Sequence, residues 1–152
     1  AWESVYYLQN EVAFGVIVRG MHHWGASLVI VMMFLHMLRV FFQGAYKKPR
    51  ELNWVVGVLI FFVMLGLGFT GYLLPWDMKA LFATKVGLQI AEAVPFLGPA
   101  IKTLLAGDAT IIGAQTLTRF FAIHVFFLPA ALLGLLAAHF IMIRRQGISG
   151  PL

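Results

Sequence analysis

Residues 22–39 read HHWGASLVIVMMFLHMLR. The stretch is apolar enough to sit in lipid, yet it holds His22 at one end and His36 fourteen residues on. Ionisable residues inside a membrane span are expensive, so each needs a partner or a task. The reading of these two histidines decides what kind of membrane protein this is.

Composition sets the class first. The chain has 152 residues, 61% of them hydrophobic and 11% charged. Its mean hydropathy is +0.89, far above that of a soluble globular domain. Residues 20–38, 54–76 and 120–143 contain no Asp, Glu, Lys or Arg. Each stretch is long enough to cross a hydrocarbon core as a helix, which takes about 20 residues. None resembles a signal peptide, being too long and lacking a cleavage site. The first residue is Ala1, and sequence is expected to precede it. With no cysteine, disulfides, thiolate metal sites and covalent haem attachment are absent from these 152 residues. The net charge of +5 is spread over short loops, which fits a membrane protein and not a nucleic-acid binder. Soluble enzyme classes find no support either: no nucleophile–base set, phosphate loop or metal cluster stands out.

Loop charges give the orientation. With three crossings, Arg39, Lys47, Lys48, Arg50, Arg144 and Arg145 share one side with Glu51 alone. The opposite side holds Arg19, Lys79, Lys85, Lys102 and Arg119 against Glu3, Glu11, Asp77, Glu92 and Asp108. The positive-inside bias puts the first side in the cytoplasm, the negative side of the membrane. Residues 1–14 predict a short interfacial helix on the positive side, and residues 15–152 a transmembrane domain. Within it, Asn53 is the expected N-cap of the second span, which Pro75 ends. Residues 77–115, interrupted by Pro95, Pro99 and Gly107, predict two short interfacial helices. The third span runs over about 117–143 and should bend at Pro129.

His124 and His139 in the third span are fifteen residues apart. At ~1.5 Å and ~100° per residue, both histidine pairs are separated by roughly 21–22 Å along their helices. Their rotations, about −40° and about +60°, leave each pair near one face. The first and third spans run in the same direction. His22 should therefore meet His124 near the positive side, and His36 should meet His139 nearer the negative side. Two imidazoles without an acid form a bis-axial ligand set for haem iron, whereas zinc wants four ligands at one point. His23 points about 100° away from His22 and reads as interfacial. In the antiparallel second span, Gly57 and Gly71 are also fourteen apart and would let a flat macrocycle approach the backbone. Arg19, Arg119, Arg39 and Arg144 lie three to five residues outside the histidines, at the depth to pair haem propionates.

These residues fall in the segments RGMHHWGAS, FLHMLRV, KKPRELNWVVGV, FTGYLLPWD, TLTRFFAIHVFFLP and HFIMIRRQGISGPL. Together they resemble cytochrome b6, the split form of cytochrome b in quinol–cytochrome c (or plastocyanin) oxidoreductase complexes. The fifteen-residue interval and the ending ISGPL look like the b6 type. The stretch PWDMKALFATKVG looks closer to menaquinol-using bacterial members. The resemblance implies an all-α membrane protein, three transmembrane helices of a haem-binding four-helix bundle whose first helix precedes residue 1. It implies two haem b groups, His22 with His124 at the positive-side iron and His36 with His139 at the negative-side iron, and haem-facing Gly57 and Gly71. A further covalent haem, in the b6 type, hangs on a cysteine of that preceding region. Where plastid members have Arg after the first histidine, this chain has His23.

The function implied is electron transfer between a positive-side quinol oxidation site and a negative-side quinone site, with menaquinone the expected quinone. Phe82, Ala83 and Val86 resemble the wall of the quinol pocket. The implied partners are a subunit IV-like membrane protein carrying the remaining quinol-site residues, a Rieske iron–sulfur protein and a c-type cytochrome, in a dimeric complex. The chain alone should be inactive, because no residue in it is a convincing quinol proton acceptor. Moving an electron against the membrane potential costs about 2.3 kcal/mol per 100 mV, so the negative-side haem should have the higher midpoint potential. Two other classes make different predictions: a histidine proton relay predicts no haem spectrum, and a dihaem anchor of another oxidoreductase predicts haem without a Rieske-type partner.

Overall fold

The computed structural model describes residues 1–107 and 111–149. Asp108 and the last three residues of the ISGPL ending lie outside them. The described residues are helical, in the order α1 (Trp2–Asn10), α2 (Gly15–Phe42), α3 (Glu51–Leu73), α4 (Met78–Glu92), α5 (Gly98–Ala106), α6 (Ala114–Ala122) and α7 (Leu128–Gln146), with a wider π turn at Ile123–Phe127. Among the described residues, three helices are long and apolar enough to cross a membrane: Gly15–Phe42, Glu51–Leu73 and Ala114–Gln146. Residues such as Leu28, Phe34, Phe62, Leu133 and Phe140 are exposed on them. Hydrocarbon accepts such faces, because helices satisfy their own backbone polar groups.

The second span departs from the sequence expectation at its start. α3 begins at Glu51, and the Trp54 N–H donates to the Arg50 carbonyl at 3.0 Å. Asn53 therefore lies inside the first turn and is not the N-cap. Its Oδ1 is buried without a hydrogen-bond partner among the described residues. An acidic Glu51 in the first turn suits the positive end of the helix dipole. In the third span, Pro129 lies just past the π turn. Proline cannot donate its i→i−4 bond and its ring crowds that carbonyl, and a widened turn relieves both. The uniform 100° step assumed from sequence does not hold through residues 123–127.

The chain divides into two compact units, Ala1–Arg19 with Phe69–Phe127, and Gly20–Gly68 with Leu128–Leu152. In the first unit, α4 and α5 pack together, and α5 packs on α6. Asp77 caps α4 by accepting from the Ala80 N–H at 2.8 Å, so the carboxylate that ends the PWD turn also starts the helix. Ala80, Thr84 and Leu88 repeat every four residues and form the buried face of α4. Gly107 closes α5 at φ 83, with its N–H donating to Thr103 O at 2.9 Å, a left-handed cap that glycine adopts without a Cβ penalty. Phe69 meets Phe120 edge to face at 6.2 Å. Its ring tip also lies against Gly87, where a Cβ would collide with it.

In the second unit, glycine lets the spans approach closely. A Cβ at Gly68 would lie 3.1 Å from Ile30 Cδ1 of α2, and one at Gly66 3.5 Å from Leu128 Cδ1 of α7. Small residues at such crossings let backbones approach where no hydrophobic force acts between helices.

Candidate functional site

In the second unit, α2, α3 and α7 line a half-open cavity of about 670 Å³. Pockets that hold small molecules and cofactors span roughly 300–1,000 Å³. His36 from α2, Gly57 from α3 and His139 from α7 all line it. Val29, Met33, Ile60, Leu132 and Leu136 supply an apolar wall, and Arg39 and Arg50 supply two cations. A Cβ at Gly57 would lie 3.5 Å from the His139 Cε1, ordinary contact distance. His139 Nδ1 is buried without a hydrogen-bond partner among the described residues. Two imidazoles in an apolar cavity, beside a backbone stripped to glycine and with two arginines in the lining, suit an anionic planar metal macrocycle. His36 and His139 are the residues that would hold such a group here.

The first unit builds the surroundings of His124 differently. The half-buried ring lies directly against α3: a Cβ at Gly71 would come 2.6 Å from its Cε1 and 3.2 Å from both nitrogens. Thr70, only 5% exposed, brings its Oγ1 to 3.0 Å from His124 Nδ1. His124 sits within the π turn that precedes Pro129.

The remaining expected residues fall in varied places. His22 is on α2 one turn after Arg19, whose guanidinium donates to Gln9 Oε1 at 2.6 Å. His23 is exposed and meets Trp24 edge to face at 5.6 Å. Arg119 donates to the Leu104 carbonyl. Arg39 lines the cavity, while Arg144 is exposed and absent from its lining. Phe82 and Val86 are exposed one turn apart on α4, opposite its buried face, with Ala83 half-buried between them.

Three residues of these surroundings have no site role in the sequence reading. Arg50 lines the cavity and holds the end of the third span, donating to Gly147 O at 3.2 Å and Ile148 O at 3.1 Å. Its place in the KKPREL loop signals only a cytoplasmic charge. Asn53 faces the cavity wall, where the sequence suggests a cap. Thr70 is a hydroxyl inside a charge-free span, next to a glycine already singled out, and that adjacency is the available signal.

Comparison with known proteins accords with this geometry. Residues 27–152 match the family described as cytochrome b (N-terminal)/b6/petB. The whole chain is 91% identical to the "menaquinol:cytochrome c reductase cytochrome b subunit" of Geobacillus thermodenitrificans and 90% identical to that of Bacillus subtilis, covering 68% of each. It is 49% identical to "cytochrome b6" of Heliobacterium modesticaldum, over 71% of that protein. Among solved structures, a chain of "Hyperthermophilic respiratory Complex III" matches 99% of this chain with a TM-score of 0.82 at 33% identity. This chain spans 41% of the length of that one. The three apolar helices and these relatives make it a multi-pass protein of a bacterial membrane. The chain belongs to the cytochrome b/b6 family, beside the cytochrome b subunits of quinol:cytochrome c reductases.

Proposed function

We propose that this chain is the dihaem cytochrome b subunit of a menaquinol:cytochrome c reductase complex, moving electrons between a positive-side quinol oxidation site and a negative-side quinone site. The observation that carries the reading is the cavity shared by His36, Gly57 and His139. When bound, each haem b supplies a one-electron Fe(III)/Fe(II) couple.

The residues have distinct tasks in this scheme. His36 and His139 hold one iron, and His22 and His124 the other. Gly57 and Gly71 leave room along α3 for a flat ring. Arg39 and Arg50 place positive charge at the cavity, where charge-assisted bonds to carboxylates are strong. The apolar wall of Val29, Met33, Ile60, Leu132 and Leu136 keeps water out and the local dielectric low. Phe82, Ala83 and Val86 form part of the quinol pocket, while the proton acceptor belongs to a subunit IV-like partner. Of the two electrons released at the quinol site, one would go to a Rieske iron–sulfur protein and on to a c-type cytochrome, and the other to the haems of this chain, within a dimeric complex.

The test is a pyridine haemochrome spectrum of the purified complex, with a haem-to-chain ratio. Two b haems on this chain are expected, His36→Ala and His139→Ala each removing the same one. A colourless preparation, or variants that leave both haems in place, overturns the assignment.

A further inference from the structure

The geometry points to Thr70 as a positioning residue for His124: its hydroxyl accepts from the ring's Nδ1–H, fixing the tautomer and orientation that present Nε2 to iron, and raising the basicity of that ligand. The inference rests on the proposed haem-ligand role of His124. Three observations carry it. Thr70 Oγ1 and His124 Nδ1 are 3.0 Å apart. Thr70 is 5% exposed, so water competes poorly for the bond. The next residue is Gly71, whose missing side chain allows the ring to approach α3, with 2.6 Å from an imagined Cβ to Cε1. One residue admits the imidazole and its neighbour fixes its rotation.

The chemistry is directional. An imidazole bound to metal through Nε2 carries its proton on Nδ1, and an acceptor there sets the tautomer and strengthens donation to the metal. A more basic ligand favours Fe(III), so the hydroxyl holds this haem's midpoint potential down. His139 offers an internal contrast, since its Nδ1 has no hydrogen-bond partner among the described residues.

The test uses the intact complex with Thr70→Val, which keeps the shape and removes the acceptor, and Thr70→Ser, which keeps the hydroxyl. The two b haems are titrated potentiometrically, and the ferric low-spin electron paramagnetic resonance signals recorded. Thr70→Val should raise the midpoint of the haem that is lost in His124→Ala. The expected change is about three- to tenfold in the redox equilibrium constant, tenfold being 59 mV for one electron. The other haem should stay in place, and Thr70→Ser should return close to wild type. Unmoved midpoints and signals in Thr70→Val overturn the inference, as does a Thr70→Ser shift equal to that of Thr70→Val. If Thr70→Val does not assemble, the pair Thr70→Ala and Thr70→Ser gives the same comparison. A wild-type complex with fewer than two b haems on this chain overturns the ligand assignment instead, which separates the two failures.

Discussion

His139 and His124 lie on the same span and solve one problem in opposite ways. Around His139 lies a half-open cavity with apolar walls, two arginines in its lining and a ring nitrogen that meets no partner among the described residues. Around His124 it closes in: a glycine admits the ring and a buried hydroxyl holds it. One histidine is placed by the cavity it faces, and the other by the helix it touches. Substitutions that fill space and substitutions that remove a contact should therefore act differently at the two sites.

The largest expected effect is at the cavity. His139→Ala should lower the haem-to-chain ratio by one, and His36→Ala should do the same, read by haemochrome spectroscopy. A variant of either kind that loses both haems would show that the two environments are not separable. Next comes a matched pair of glycines. Gly71→Ala puts a methyl 2.6 Å from His124 Cε1, while Gly57→Ala puts one 3.5 Å from His139 Cε1. Overpacking of the first kind costs about 1–3 kcal/mol. Gly71→Ala should therefore weaken haem retention at the His124 site and lower the thermal midpoint more than Gly57→Ala does. Equal effects would erase the contrast.

Smaller effects separate the two units by stability alone. Asp77→Ala removes the cap of α4 and should cost about 1 kcal/mol, seen as a lower denaturation midpoint and faster amide exchange at the start of that helix. Arg50→Ala removes bonds to Gly147 O and Ile148 O in an exposed setting. Its cost should be about 0.5–1 kcal/mol, detected by faster proteolysis near residues 147–149 with little change in the midpoint.

Much of this was legible in the sequence because lipid simplifies the rules. Charge-free runs of sufficient length must be helices, and histidines inside them must have partners. Gly107 and Pro95 also marked their breaks, since glycine readily takes the left-handed cap that ends a helix and proline lacks the N–H that continues one. The start of α3 was misread because Asn53 suits a cap by residue type, whereas the helix begins two residues earlier at Glu51. The π turn was invisible because Pro129 announces a disturbance without saying how the preceding residues absorb it. Thr70 and Arg50 were missed for a shared reason. Their roles depend on atoms far away in the chain, 54 residues for the threonine and 97 for the arginine, and no local pattern encodes that.

The seat of Phe69 on Gly87 has a mechanical consequence. Phe69, Thr70 and Gly71 are consecutive, so the aromatic wedged onto α4 belongs to the same helical turn that grips the imidazole. A side chain at 87 would meet the tip of the Phe69 ring, which would have to swing aside. The amphipathic helix bearing Phe82, Ala83 and Val86 thus touches, through Phe69, the turn that holds the His124 ring.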